Sequence, residues 1–91
     1  MTNKHVVIRT YSAGVHVGQL VERRGKEVDL VRARRIWSWQ GANTLHEIAL
    51  HGVGKGSRVS EPVAEITLTE AIEVITMSEE AIKRFEDAKW A

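Results

Sequence analysis

The chain contains no cysteine among its 91 residues, which excludes disulfide bridges, thiolate nucleophiles and cysteine-ligated zinc. It has one proline, too few for a low-complexity or disordered chain. It also lacks both the apolar core of a signal peptide and a run near the ~20 apolar residues that a membrane-spanning helix needs. We therefore expect an ordered protein that works in the cytoplasm, with no membrane partner.

Net charge is almost absent as well. Thirteen basic and twelve acidic residues leave a formal charge of +1 at pH 7. A protein without an overall positive field lacks the main driving force of sequence-independent nucleic-acid binding, so we do not expect nucleic acid as a partner. Most basic residues nevertheless stand in the first half, whereas six acids stand between Glu61 and Glu80. This asymmetry suits an anionic ligand or a head-to-tail contact between subunits.

The first part of the chain has the pattern of a β-meander. A β-branched run covers residues 4–11, and a second apolar alternation covers residues 15–24, with Ser-Ala-Gly turn chemistry between them. After the next turn at Gly25, alternation resumes and continues to Trp39. Gly18 interrupts the second strand, which predicts a bulge or the close approach of another backbone.

A short helix is predicted after this meander. Thr44 followed three residues later by Glu47 has the form of a capping box, and Gly52 is a typical helix stop. The glycine-rich residues 53–57 predict a surface loop. They lack the spacing of a Walker phosphate loop, so we do not assign them to nucleotide binding.

Residues 58–78 leave one ambiguity open. The stretch before Pro62 should be extended, and residues 65–69 alternate as a strand. Residues 72–77 form another apolar run, but Leu68 to Ile75 also fits a helical stripe, so strand and helix both remain possible there. Ser78 then caps a final helix from Glu79 to about Lys89.

Together these elements predict an α+β fold in a single domain. We expect a small twisted antiparallel sheet or partly closed barrel of five or six strands, with one short inserted helix and a C-terminal helix. A chain of 91 residues builds only a modest core. Because the chain also contains three tryptophans, we expect some of these rings to be buried between subunits of a homo-oligomer.

The main candidate binding residues lie around the two tryptophans at the end of the meander. Arg35, Trp37 and Trp39 alternate, so on a strand they share one face. Indole rings beside a guanidinium can hold a nucleobase and its phosphate by stacking and charge-assisted hydrogen bonds. The alternative is that both rings are core or subunit interface.

Other polar residues could join this site. The turn after Tyr11 combines hydroxyl groups with backbone amides that could bind an anion, although a plain turn needs the same glycine. Arg58 and Ser60 could reach the same ligand if their segment folds back on residues 9–18 and 33–42. The full predicted ligand-binding set is Tyr11, Ser12, His16, Arg34, Arg35, Trp37, Trp39, Arg58 and Ser60.

Neither a metal site nor a catalytic set is predicted. His46 and His51 are five residues apart, which does not place two ligands on one helical face, and there is no His-Glu-x-x-His motif. We therefore expect no metal, no cofactor and no enzymatic activity. A small hydrolase that uses His16 or His46 as a general base is the weakest of our three functional hypotheses.

Three segments, residues 9–18, 33–42 and 57–78, carry a resemblance to a known family. They include Arg-Thr-Tyr-Ser-Ala-Gly-Val-His-Val-Gly, Ala-Arg-Arg-Ile-Trp-Ser-Trp-Gln-Gly-Ala and Ser-Arg-Val-Ser-Glu-Pro. In this order they resemble a family of small phage and prophage proteins known only as a domain of unknown function, DUF6948. The resemblance covers nearly the whole chain and implies a virus-encoded protein acting in an infected bacterium.

The leading hypothesis combines this context with the arginine and tryptophan cluster. It is a non-enzymatic binding protein for a small anionic ligand, in its sharpest form a phage protein that sequesters a nucleotide immune signal of the host. The second hypothesis is a structural or protein-interaction module, either a virion assembly part or an inhibitor of a host protein.

Overall fold

Three long antiparallel strands form the first part of the structure, as the alternation of apolar residues predicts. The computed structural model describes residues 4–38, 44–54 and 57–87. Strands β1 (Lys4–Thr10) and β2 (Val15–Arg24) form a hairpin, and β3 (Glu27–Ser38) returns along β2. The predicted meander is therefore confirmed.

Three shorter strands complete one six-stranded antiparallel sheet. Strands β4 (Arg58–Val59) and β5 (Val63–Leu68) follow each other along the free edge of β3, and β6 (Ala71–Thr76) pairs with β1. Strands β5 and β6 thus lie at opposite edges of the sheet, yet only residues 69 and 70 connect them. The sheet must therefore curl strongly to bring its two edges close together. Described strands β5 and β6 do not pair with each other, so the sheet is not closed.

The helical alternative for residues 68–75 is wrong. Leu68 pairs with Val28 on β3, whereas Ile75 pairs with Val7 on β1. Backbone pairing with two different strands overrides the helical spacing of the apolar side chains, because the period of a short apolar run is ambiguous by itself.

Two helices pack on one face of the sheet, and both predicted caps are present. In α1 (Leu45–His51) the Thr44 hydroxyl accepts a 3.2 Å hydrogen bond from the amide of Glu47, and the helix ends at Gly52. In α2 (Glu79–Asp87) the Ser78 hydroxyl accepts a 3.1 Å bond from the amide of Ala81. The predicted last residues of this helix lie outside the described ranges.

The sheet is buried on both faces, which gives two apolar clusters. One lies inside the curl of the sheet and consists of Val6, Ile8, Val28, Leu30, Ala33, Leu68 and Ala71. The other lies between the sheet and the helices and consists of Val7, Val17, Ile36, Ile48, Ala49, Val53, Val59, Met77, Ala81 and Phe85. Val53 was predicted to lie in a surface loop, but it is buried because its side chain fills this second cluster.

A bulge in β3 stands opposite Gly18, which confirms the predicted close approach. A Cβ atom at Gly18 would lie 3.0 Å from the Cα of Ala33 and 3.2 Å from the carbonyl oxygen of Val31. The register of the two strands shifts at this point, and Arg32 takes a left-handed conformation with φ of 51°. Such a conformation costs a residue with a Cβ atom about 1–2 kcal/mol, so the bulge holds Arg32 against its backbone preference.

Candidate functional site

The candidate site is built on the last residues of β3, where neighbouring side chains alternate between the two faces of the sheet. Arg35 is exposed and stands opposite His16 of β2. Trp37 lies two residues further along the same face, as predicted. Trp39, the third member of the predicted stripe, lies outside the described residues. We call the surface formed by Arg35, Trp37 and Arg58 the Trp37 site.

Ser60 fixes the backbone of Arg35. The amide of Arg35 donates a 2.8 Å hydrogen bond to the Ser60 hydroxyl, and the amide of Ser60 donates one of 2.8 Å to the carbonyl of Arg35. The Ser60 hydroxyl in turn donates to the carbonyl of Glu61 at 3.2 Å. Ser60 therefore lies next to the site as predicted, but its hydroxyl is already used in holding the strand.

A cation–π contact joins β3 to β4 at the Trp37 site. The guanidinium carbon of Arg58 lies 5.1 Å from the centroid of the Trp37 ring. Trp37 remains 54% exposed, so most of the ring is still accessible to a ligand or a partner. This segment folds back onto β3, since Arg58 pairs with residue 38 in the sheet.

Two depressions flank Arg35, one on each side. The larger, of about 480 Å³, lies between the turn at residues 12–14 and the strand segment that includes Arg35 and Trp37. The smaller, of about 230 Å³, is lined by His16, Ala33, Arg35, Ser60, Val63 and Ile66. The structure thus brings Ser12, His16, Arg35, Trp37 and Ser60 to the walls of two adjacent depressions.

His16 supports the turn from inside the protein. Its side chain is 2% exposed, and Nε2 lies 2.9 Å from the carbonyl oxygen of Ala13, which fixes the hydrogen on Nε2. Burial lowers the pKa of His16, the bond to Ala13 opposes this shift, and the nearby Arg35 charge adds to it. A buried, neutral imidazole bound to a carbonyl serves the hairpin turn better than it would serve as a general base.

The turn at residues 11–14 uses its polar groups internally. The amide of Ala13 donates to the Thr10 hydroxyl at 2.9 Å, and the amide of Tyr11 donates to the carbonyl of Glu70 at 3.0 Å. The Ser12 hydroxyl donates to the carboxylate of Glu70 at 3.3 Å, which brings a negative charge to the turn. The arginines of the Trp37 site therefore suit an anion better than the turn does. Tyr11, 78% exposed, lines neither depression.

Arg34, another predicted binding residue, lies on the opposite face of the sheet. Its side chain is 9% exposed, and its guanidinium donates to the carbonyls of Ser60 at 2.8 Å and Phe85 at 2.5 Å. Burial lowers the pKa of Arg34. Arg34 thus connects β3 to α2 and is separated from the Trp37 site by the sheet itself.

Several residues around the site were not predicted from the sequence. Val63 and Ile66 line the smaller depression, and Glu70 binds the turn. Their positions depend on which strand β5 pairs with and on the short connection to β6, and neither feature has a local sequence signal. Glu70 is one of six acids between Glu61 and Glu80, and nothing in the sequence distinguishes it from the other five.

Within residues 4–38, 44–54 and 57–87, no group of three or more histidine, aspartate or glutamate side chains is arranged to hold a metal ion. Over the same ranges, neither helix has the length and hydrophobicity required to cross a membrane.

Comparison with known proteins identifies a family and nothing further. The family model described as a domain of unknown function, DUF6948, matches residues 3–85, so the chain belongs to this family. No curated protein and no solved structure matches the chain. The family description assigns no activity.

Proposed function

We propose that this member of the DUF6948 family is a non-enzymatic binding protein for a small anionic ligand that contains an aromatic base. The observation that carries the proposal is the Trp37 site. There the Arg58 guanidinium lies 5.1 Å from an indole ring that is 54% exposed, and Arg35 stands on the same face. An accessible ring that contacts one guanidinium and shares its face of the sheet with another is suited to a ligand that joins a π-system to phosphate groups.

The surroundings of Arg35 support this choice of ligand. Depressions of about 480 Å³ and 230 Å³ flank its side chain, and the larger one falls within the volume range of small-molecule sites. Both backbone polar groups of Arg35 are bonded to Ser60, so the strand that carries the guanidinium is held in place. A held strand reduces the entropy that is lost when a ligand binds.

Sequestration is a simpler function for this site than catalysis. It requires only complementary shape and charge, whereas hydrolysis would need an accessible base. The imidazole nearest to Arg35 belongs to His16, which is 2% exposed and hydrogen-bonded to a carbonyl. In its sharpest form the proposal is that a phage-encoded protein removes a nucleotide immune signal from the cytoplasm of its bacterial host. The phage context comes from the family resemblance.

Native mass spectrometry tests the proposal. The protein is measured as purified from a bacterium and after mixing with cyclic dinucleotides, cyclic trinucleotides and cyclic ADP-ribose isomers. We expect at least one of these to add its mass at an integer ratio per subunit, and the same spectrum reports whether the predicted homo-oligomer forms. Arg35→Ala and Trp37→Ala should lose the added mass.

Arg9→Ala is the matched control, because Arg9 is an exposed strand arginine that pairs with Glu73 at 3.5 Å and lines neither depression. It should bind as the wild-type protein does. Absence of binding across the panel, or equal loss in the Arg9 variant, would contradict the proposal.

The protein-interaction hypothesis is supported by a different observation at the same place. Trp37, Tyr11 and Val63 are exposed on or near the Trp37 site. Exposed aromatic residues beside arginines are typical of protein interfaces. In a pull-down from infected cells, a stoichiometric protein partner that is lost in Trp37→Ala would favour this function, provided that no nucleotide binds.

A further inference from the structure

A separate cleft lies on the helix-covered face of the sheet, beside α2. Its volume is about 390 Å³, and we call it the α2 cleft. Apolar side chains line part of it, among them Met77, Ile82 and Phe85, and polar residues at its walls include Gln19, Arg32 and Glu86. Its volume falls within the range of small-ligand sites. Arg35 and Trp37 do not line it, so it is distinct from the Trp37 site.

Arg32 is the unusual residue of this cleft. It holds a left-handed backbone conformation, φ of 51°, at a bulge position where glycine is the usual residue. Its side chain is exposed and makes no hydrogen bond or ion pair within the described part of the chain. Backbone strain at an arginine whose charge has no structural partner indicates a functional reason for the side chain.

The charges around the α2 cleft favour a ligand with a single negative charge. Arg32 supplies an available guanidinium, and Arg34, which also lines the cleft, already donates to the carbonyls of Ser60 and Phe85. Glu86 at the same cleft opposes a highly charged anion such as a phosphate dianion. A guanidinium and a carboxylate form two parallel hydrogen bonds with matching geometry.

We propose that the α2 cleft binds a small monocarboxylate with an apolar body, whose carboxylate pairs with Arg32 and whose body lies against Met77, Ile82 and Phe85. This function is independent of the Trp37 site. The bulge opposite Gly18 places Arg32 at the cleft. Ile82 is partly exposed there, whereas Met77 and Phe85, 7% and 5% exposed, offer only the edges of their side chains to a ligand.

The methyl group of Met77 offers a direct test, because Met77 lines the cleft and the other methionine of the chain, Met1, lies outside the described residues. The protein is labelled with ¹³C at the methionine methyl groups and titrated with 3-phenylpropanoate, followed by NMR. We expect a saturable shift of the Met77 signal, which the variant Met77→Leu identifies. The uncharged analogue 3-phenylpropan-1-ol should bind about tenfold more weakly, since it lacks the charge-assisted pair.

Arg32→Gly is the decisive variant, because glycine tolerates the left-handed conformation and the variant should fold at least as well as the wild type. It should lose about tenfold in affinity for 3-phenylpropanoate. Arg9→Ala, away from the cleft, should bind normally. No saturable shift with the acid, equal binding of the alcohol, or full affinity in Arg32→Gly would each overturn the proposal. Nucleotide binding at the Trp37 site is measured separately and is unaffected by any of these outcomes.

Discussion

Arg34 and Arg35 are neighbours in the chain, yet they take opposite roles on the two faces of β3. Arg34 is buried and donates to carbonyls of Ser60 and Phe85, so its charge serves the fold. Arg35 is exposed between two depressions, and its backbone amide and carbonyl are bonded to Ser60. The difference follows from where α2 packs. An arginine on the face that α2 covers is buried and bonded to carbonyl groups, whereas an arginine on the other face stays exposed and can contact a ligand.

Replacement of Arg34 should have the largest effect. Arg34→Ala leaves the carbonyls of Ser60 and Phe85 without a donor in a buried region, and we expect it to lower the free energy of unfolding by about 2–4 kcal/mol. Urea denaturation measures the change. Arg35→Ala is the matched control and should stay within about 0.5 kcal/mol of the wild type. Equal losses in the two variants would remove the contrast between the two faces.

Gly18→Ala should have the second largest effect on stability, because it acts on the bulge that brings Arg32 to the α2 cleft. Its Cβ would lie 3.0 Å from the Cα of Ala33, a backbone atom that cannot move aside cheaply. We expect a loss of about 1–3 kcal/mol in the free energy of unfolding, as for other overpacked sites. Thermal or urea unfolding that leaves the variant unchanged would show that the two strands are not in close contact there.

His16 should make stability depend on pH. Burial lowers its pKa in the folded protein, so below the ordinary value of about 6.5 the unfolded chain binds more protons than the folded one. Stability should therefore fall as the pH falls through about 6.5 and should be independent of this group above about pH 7.5. Urea unfolding of wild type and His16→Gln at a series of pH values isolates the effect, with His46→Gln, a change at an exposed histidine, as control. If the wild type became more stable relative to His16→Gln as the pH falls, the lowered pKa of His16 in the folded protein would be contradicted.

The Trp37–Arg58 contact should have the smallest effect on stability. A double-mutant cycle with Trp37→Ala and Arg58→Ala should give a coupling energy of about 0.5–1 kcal/mol, which is typical of exposed cation–π pairs. If the coupling energy is much larger, the contact between Trp37 and Arg58 stabilises the fold, as the hydrogen bonds of Arg34 do. If it is absent, the two side chains are independent and the site is less organised than the structure indicates.

Local signals predicted much of this fold. The turn chemistry at Gly14 and Gly25, the caps at Thr44 and Ser78 and the gap at Gly18 each depend on residues close together in the chain, and each was found as predicted. Alternation along β3 likewise predicted correctly that Arg35 and Trp37 share a face. These features are set within a few residues, so a single sequence contains enough information to predict them.

Features that depend on pairing between distant segments were out of reach. The division of Leu68 to Ile75 between two strands depends on the pairing of β5 with β3 and of β6 with β1. The role of Arg34 depends on Phe85, fifty-one residues away, and that of Ser12 on Glu70, fifty-eight residues away. The left-handed conformation of Arg32 has no signal in its own residue type, since glycine or asparagine would be expected there.

The most direct test of the proposed function is NMR detection of the arginine Nε–H and tryptophan indole N–H groups during titration with the cyclic nucleotides named above. We predict saturable shifts of Trp37, Arg35 and Arg58, with Trp37 identified by the variant Trp37→Phe, and no shift of Arg34. Absence of a saturable shift with every nucleotide, or a shift of Arg34 while Trp37 stays unchanged, would contradict a nucleotide site on this face of the sheet.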